Sequence, residues 1–233
     1  MNYNMSEVIG ALSEGFLYTC LLFVITLIFA LPLGLVISFG SMSKNRVLRS
    51  ITRAFVWVIR GTPLMLQIII FDVGPGLICY AIERKFGISM PTFFYVREMW
   101  KHFMMVCIAF IINYSCYFSE IYRGGIQSVP IGQHEAASVL GLTKKQTFSK
   151  VILLQVLKRI IAPMSNEIIT LVKDTSLARV VISIEMMAAA QTLATKYFAV
   201  EIVFFAGIFY LILNGLLTVL LGKLERKLDY FKV

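Results

Sequence analysis

Residues 15–43 carry no charge at all, a run longer than the roughly 20 apolar residues that cross a bilayer. They predict a first transmembrane helix, with Pro32 and Gly34 placed to kink it. Lys44, Arg46, Arg49 and Arg53 follow at once. This is the densest basic cluster beside a span, so it marks the cytoplasmic side and sets the N-terminus outside. A second apolar stretch covers residues 54–82. Arg60-Gly61-Thr62-Pro63 interrupts it near its inner end, and Asp72 lies deeper, ahead of Gly74-Pro75-Gly76. Residues 83–102 mix both signs around Pro91 and read as an outer loop with room for a short interfacial helix. A third span, 103–119, ends at Glu120, Tyr122, Arg123 and Gly124-Gly125.

The chain re-enters the membrane near residue 156, where Lys158 and Arg159 are placed to snorkel to the inner interface. The fourth segment runs to residue 194 and is interrupted by Asn166, Glu167, Lys173, Asp174 and Arg179. A lipid-facing helix does not tolerate so many charges. The segment therefore sits inside a bundle, lines a cavity, or breaks into half-helices. Asp174-Thr175-Ser176 is the expected break, because these side chains compete for backbone hydrogen bonds. Residues 202–222 form a clean fifth span. Lys223, Arg226, Lys227 and Lys232 then place the C-terminus inside. The expected molecule is an all-α membrane protein of about five transmembrane helices, a single domain over residues 1–233.

Between the third and fourth spans lies a polar stretch, residues 133–155, that cannot cross a membrane. Pro130 suits a helix start. Residues 133–140 predict a short helix, Gly141 the left-handed residue that ends it, and Leu142 its apolar follower. Thr143 with Gln146 is a capping-box pair that starts a second helix at once. The prediction is a bent elbow in a cytoplasmic loop of about residues 124–155.

Composition agrees with this pattern. The chain is 58% hydrophobic with a mean hydropathy of +0.81, where a soluble domain averages about 45–50% apolar residues. Its net charge of +9 lies in the loops between apolar runs, which is the signature of topology rather than of nucleic-acid binding. The first 14 residues lack a basic leader segment, so a cleaved signal is not expected. Cys20, Cys79, Cys107 and Cys116 form no CxxC pair and read as small hydrophobes. His102 and His134 are far apart in sequence and predicted topology, so neither reads as a metal ligand.

Catalytic chemistry finds little footing. There is no GxxxxGK[ST] phosphate loop, no HExxH and no GxSxG. The informative residues are charges at membrane depth, where each costs about 2.5–3.5 kcal/mol on insertion scales and is a functional candidate by default. Asp72 has two readings, a structural partner for a neighbouring helix or a pathway residue. For a zwitterionic ligand, Asp72, Glu167 and Asp174 would accept from an ammonium. Lys173, Ser176 and backbone N–H groups at a helix break would donate to a carboxylate.

Glu135-Ala136-Ala137, then three residues, then Gly141, resembles the EAA loop of permease subunits of bacterial ABC importers. Arg60-Gly61-Thr62-Pro63-Leu64, Glu120-Ile121-Tyr122-Arg123-Gly124-Gly125-Ile126, Asn166-Glu167 and Lys173-Asp174-Thr175-Ser176-Leu177 resemble motifs of the polar amino acid branch, whose substrates include histidine, glutamate, glutamine, arginine and opines. The resemblance implies a type I importer permease (MetI-like) fold in the bacterial cytoplasmic membrane. Glu135, Ala136, Ala137 and Gly141 would couple to a cytoplasmic ATPase dimer that binds ATP and Mg. Neither cofactor would be held by this chain. An extracytoplasmic amino-acid-binding protein would deliver the ligand, and a second permease copy or a paralogue would complete the pathway. Asp72, Glu120, Asn166, Glu167, Lys173, Asp174 and Ser176 are the pathway candidates.

The sequence departs from the family pattern at Leu154, where a proline usually follows the leucine, and at Asp72, where an aromatic residue is usual. Its Gly-x-Pro is here Gly74-Pro75. A membrane pore that reads almost nothing, with selectivity set by the delivering protein, is a second possibility within the resemblance. Outside it stand a non-transporting scaffold and an intramembrane enzyme using Asp72 and Asp174 as a carboxylate pair.

Overall fold

The computed structural model describes residues 3–89, 91, 98–182 and 184–228. Among the described residues the chain forms nine α-helices, one π-helical turn and one 3-10 turn. Helix α1 (Met5–Ser41) begins at Asn4, whose side chain accepts the Ser6 N–H at 3.1 Å, and is longer than the charge-free run because Glu7 and Glu14 are taken into its first turns. Helix α2 (Arg46–Gly61) is capped by Asn45, which accepts from Val47 N at 2.9 Å. The second expected span is two helices. Thr62 is extended and Pro63 caps α3 (Leu64–Phe86), as expected of a residue before proline. Helix α3 ends at Gly87, whose φ of +64° is left-handed.

Helix α4 (Met99–Gln127) starts before the expected third span and takes in residues 99–102 of the outer loop. Residues 90 and 92–97 of that loop, where a short interfacial helix has room, lie outside the described residues, as does Lys232 of the basic tail. The elbow comprises α5 (Ile131–Val139), α6 (Lys144–Gln146) and a π-helical turn (Thr147–Ile152). The π-turn passes without interruption into α7 (Leu153–Asp174), so Leu154 in place of the usual proline leaves the helix unbroken. A 3-10 turn (Thr175–Val180) follows at the expected break, then α8 (Met186–Tyr197) and α9 (Glu201–Leu228).

Among the described residues four helices, α1, α3, α4 and α9, are long and apolar enough to cross a membrane. The fourth expected segment, residues 156–194, is therefore not one continuous span. Helix α7 has 22 residues, a length of about 33 Å at 1.5 Å per residue, but Lys158, Arg159, Glu167, Lys173 and Asp174 interrupt its apolar character. The chain then breaks at Asp174 and restarts as α8.

Helix α4 is the most buried of the four. Its Phe110, Tyr114 and Phe118 meet Leu22 and Ala30 of α1, Ile68 of α3, and Ile160 and Leu171 of α7 in one apolar cluster. A second cluster joins Val8 and Leu12 of α1 to Met186 and Ala190 of α8 and Ile202 and Ala206 of α9. Helix α1 approaches its neighbours through a stripe of small residues, Gly15, Thr19, Thr26, Ala30, Gly34, Ser38 and Ser41, all buried. Apolar side chains gain little against apolar lipid, so close backbone packing of small residues is what brings such helices together. The hydroxyls do not interrupt the contact. Thr26 donates to Leu22 O at 2.7 Å and Ser38 to Leu35 O at 2.8 Å, within α1 itself.

A Cβ on Gly34 would lie 2.9 Å from both Phe118 Cβ and Ser115 O. Gly34→Leu is expected to lower stability by about 3 kcal/mol, the upper part of the usual overpacking cost. Thermal unfolding in detergent would measure it, with Gly10→Leu as control, since nothing lies within 4 Å of a Cβ there. Equal midpoints for the two variants would refute the close α1–α4 approach.

Candidate translocation site

The break between α2 and α3 leaves backbone groups unpaired inside the bundle, and one side chain satisfies two of them. Gln67, 4% exposed, donates through Nε2 to Ile59 O at 2.7 Å, Thr62 Oγ1 at 2.8 Å and Thr62 O at 3.2 Å. Its own carbonyl accepts from Asn113 Nδ2 of α4 at 3.1 Å, and Asn113 is 3% exposed. Irregular backbone at membrane depth persists only with such partners or beside a water-filled cavity. Here the partners are Gln67 and Asn113, and an open cavity lies alongside.

An open cavity of about 530 Å³ lies against this turn. Arg60 and the turn form one wall. Asn113, Tyr114 and Tyr117 of α4 form a second, and Glu167 and Asp174 of α7 a third. Tyr114 OH donates to Asp174 Oδ2 at 2.7 Å, so the last residue of α7 is fixed where the helix tightens into its 3-10 turn. The Arg60 guanidinium stands 5.0 Å over the Tyr117 ring and 3.8 Å from Glu120 Oε2. Both Glu120 oxygens are already held by Arg123, at 2.9 and 2.6 Å. Arg60 is thus a loosely held cation that also faces the cavity.

The pathway candidates are distributed unevenly. Glu167 and Asp174 share the cavity wall, and Glu120 lies beside it through Arg60. Asn166 and Lys173 are exposed on α7, and Ser176 turns its hydroxyl back onto Lys173 O at 2.7 Å. Asp72 is elsewhere: it is 8% exposed and its Oδ1 lies 2.6 Å from His102 Nδ1 on α4. That contact ties the middle of α3 to the first turn of α4. Asp72 and Asp174 thus have different partners, and only Asp174 lines the cavity.

Sequence reading did not select Asn113, Tyr114 or Tyr117, which sit in an apolar run and look like ordinary span residues. It quoted Arg60 as part of a motif without assigning it to the pathway. It also passed over Glu185, 2% exposed, which joins three helices by accepting from Thr19 and Tyr210 and from the first N–H groups of α8.

The elbow has the local geometry that its residues dictate. Gly141 has φ +70°, Leu142 N donates to Ala137 O at 3.0 Å and Gly141 N to Ser138 O at 3.0 Å, which is the paired bonding of a Schellman helix end. Thr143 and Gln146 form the reciprocal capping box. Ala137 is 2% exposed, whereas Glu135 and Ala136 face outward with Ile131, Val139 and Leu140. The elbow is anchored behind this face by Arg159, which donates to Ser128 O, and by Gln155 Nε2 on Gln133 Oε1 at 3.2 Å.

A helical bundle with a broken span, a charged cavity and a projecting elbow defines an importer permease, and comparison with known proteins agrees. The chain belongs to the family described as binding-protein-dependent transport system inner membrane component, whose model matches residues 30–230. It is 31% identical to the arginine ABC transporter permease protein ArtM of Haemophilus influenzae, covering 97% of this chain and 96% of that one. It is 35% identical to the L-cystine transport system permease protein TcyB of Bacillus subtilis, over 94% and 87% of the two chains. A crystal structure of an amino acid ABC transporter with histidines superposes with a TM-score of 0.77 at 26% identity, over 97% of this chain and 100% of that one. An inward-facing MetNI methionine ABC transporter shares the fold, at a TM-score of 0.62 and 15% identity. The protein is a multi-pass subunit of the cytoplasmic membrane with the type I (MetI-like) permease fold, the transmembrane part of an ABC importer. Importers of this family work with a separate ATPase and a substrate-binding protein.

Proposed function

We propose that this permease carries a polar amino acid as a zwitterion through the cavity between the α2–α3 turn, α4 and α7. The observation that carries the reading is the presence of both signs in one cavity. Arg60 can meet a carboxylate, and Glu167 and Asp174 can meet an ammonium. Asn113, Thr170 and the tyrosine hydroxyls add uncharged donors and acceptors. The relatives named for arginine and cystine permeases support an α-amino acid as the class of cargo.

In this reading the N-terminus lies outside and the C-terminus inside, as the basic loops require. The exposed face of α5, led by Glu135 and Ala136, docks on a cytoplasmic ATPase that binds ATP and Mg and performs all hydrolysis. Two permeases, identical or paralogous, enclose the pathway between them. An extracytoplasmic binding protein loads it, and ATP-driven approach of the two elbows rocks the bundles between outward- and inward-facing states.

The test is uptake by the importer, reconstituted with its ATPase and binding protein in liposomes, of L-arginine, L-cystine and L-glutamine. Asp174→Asn keeps an acceptor for Tyr114 OH and so spares the fold, but removes the charge. Glu167→Gln does the same for its neighbour. Each is expected to lower uptake about 10- to 100-fold, the loss of one charge-assisted hydrogen bond. Uptake that survives both changes would rule out this cavity as the ligand site and leave selectivity to the delivering protein.

A further inference from the structure

Four arginines, Arg46, Arg49, Arg53 and Arg60, fall on one face of α2. At 100° per residue they share an arc of about 60°. Of the exposed apolar residues, Val47, Leu48, Ile51, Phe55 and Val58 lie on a different arc of the same helix, while Trp57, 77% exposed, stands on the arginine side. From Arg46 to Arg60 the ladder rises about 21 Å at 1.5 Å per residue.

Three cavities follow this face. The central one, about 530 Å³, has Arg60 in its wall. A second, about 290 Å³, is lined by Arg60, Arg53, Trp57, Glu120 and Arg123. A third, about 530 Å³, is lined by Arg53 and Trp57 together with Arg49 and Arg46. Each therefore shares lining residues with the next. With the orientation set by the basic loops, the third opens at the cytoplasmic end.

The guanidiniums are differently committed along this line. Arg53 donates Nε to Ser41 O at 3.2 Å, and Arg60 is 3.8 Å from Glu120. The Arg46 and Arg49 guanidiniums make no hydrogen bond or ion pair among the described residues. A protein carboxylate, Glu120, already stands between Arg123 and Arg60 in the middle cavity.

We propose that the arginine face of α2 is a carboxylate track that conducts the amino acid from the central cavity to the cytoplasmic mouth. This rests on the reading of the central cavity given above. Each guanidinium offers a planar pair of donors to a carboxylate, and conduction needs several sites of moderate strength rather than one strong site. Glu120 lowers the field in the middle of the track, so a ligand handed on from Arg60 is attracted without being trapped.

Arg46→Gln/Arg49→Gln and Arg46→Lys/Arg49→Lys in the reconstituted importer test the proposal. The readout is uptake of L-arginine, L-cystine and L-glutamine per ATP hydrolysed, in liposomes of phosphatidylcholine alone and with phosphatidylglycerol. The Gln pair is expected to lower uptake per ATP about tenfold in both lipids, about threefold for each half-solvated charge, while the Lys pair retains most of it. Uptake per ATP kept by the Gln pair would overturn the track. An equal loss in the Lys pair would overturn it too, pointing to packing rather than charge. A loss confined to liposomes with phosphatidylglycerol would make these arginines lipid-headgroup ligands and likewise sink it. Should Asp174→Asn abolish uptake while the Gln pair transports normally, the central cavity stands and the track alone falls. A wild-type importer that moves none of the three amino acids removes both.

Discussion

Glu185→Ala is expected to leave most of the permease unfolded or degraded in the membrane. The carboxylate is 2% exposed and accepts four hydrogen bonds. Thr19 of α1 and Tyr210 of α9 donate to Oε1 at 3.1 and 2.6 Å, and Met187 and Ala188 of α8 donate backbone N–H to Oε2 at 2.8 and 3.2 Å. Truncation deprives all four donors, buried or half-buried, of this acceptor at once and opens a cavity. Losses of this kind cost about 3–5 kcal/mol, a large part of the roughly 5–15 kcal/mol that holds a domain together. The neighbouring packing offers no relief. A Cβ on Gly15 would already lie 2.7 Å from Met186 Cα, so α1 and α8 are in backbone contact and neither can shift inward to fill the space.

Glu185→Gln separates the two halves of this account. Its amide oxygen can satisfy either the hydroxyls or the N–H pair, and its NH2 then faces the other donors. It is expected to fall between wild type and alanine in thermal midpoint after detergent extraction. An alanine variant with the wild-type midpoint would show that this glutamate does not bind the three helices together.

Glu185 also marks the boundary of what sequence could reveal. It stands in the apolar run Val180-Val181-Ile182 to Ala188-Ala189-Ala190, and nothing local distinguishes a capping carboxylate from an interruption. Its meaning comes from Thr19, 166 positions away, and Tyr210, 25 positions away. The same holds for Tyr114 and Asp174, separated by 60 positions, and for Asp72 and His102, separated by 30. Features written in neighbouring residues were legible. Gly141 and Thr143 announced the elbow because a left-handed stop and a capping box are local chemistry. Asp174-Thr175-Ser176 announced the end of α7 for the same reason. The α2–α3 break was visible in Arg60-Gly61-Thr62-Pro63, but not the Gln67 and Asn113 side chains that satisfy it. Helix α7 was the hardest element to place, because its charges remove the hydropathy signal while its length still suits a span.

Glu135→Lys is expected to abolish coupling to the ATPase while leaving the permease folded. Glu135 is exposed on α5, and its carboxylate makes no hydrogen bond or ion pair among the described residues, so its removal costs the isolated subunit little. Around it, Ile131, Val139 and Leu140 are 75%, 87% and 77% exposed. Such apolar side chains on a polar elbow read as the core of a docking face with a charge beside it. Reversing a charge inside an interface costs about 2–5 kcal/mol, which weakens association about 30- to 4,000-fold. The rigid turn behind α5 makes the loss hard to repair, because the Schellman end at Gly141 and the capping box at Thr143 fix the helix to α6 and, through the π-turn, to α7. The same rigidity would carry a displacement of α5 to Asp174, the far end of α7, in the wall of the proposed ligand cavity. The measurement is recovery of the ATPase with tagged permease from its native membrane in mild detergent, wild type beside Glu135→Lys, with thermal midpoints compared on the same samples. Equal recovery would keep the protein an importer subunit and remove Glu135 from the contact. Loss of the ATPase at an unchanged midpoint would identify α5 as the element through which hydrolysis in the partner is felt at the cavity.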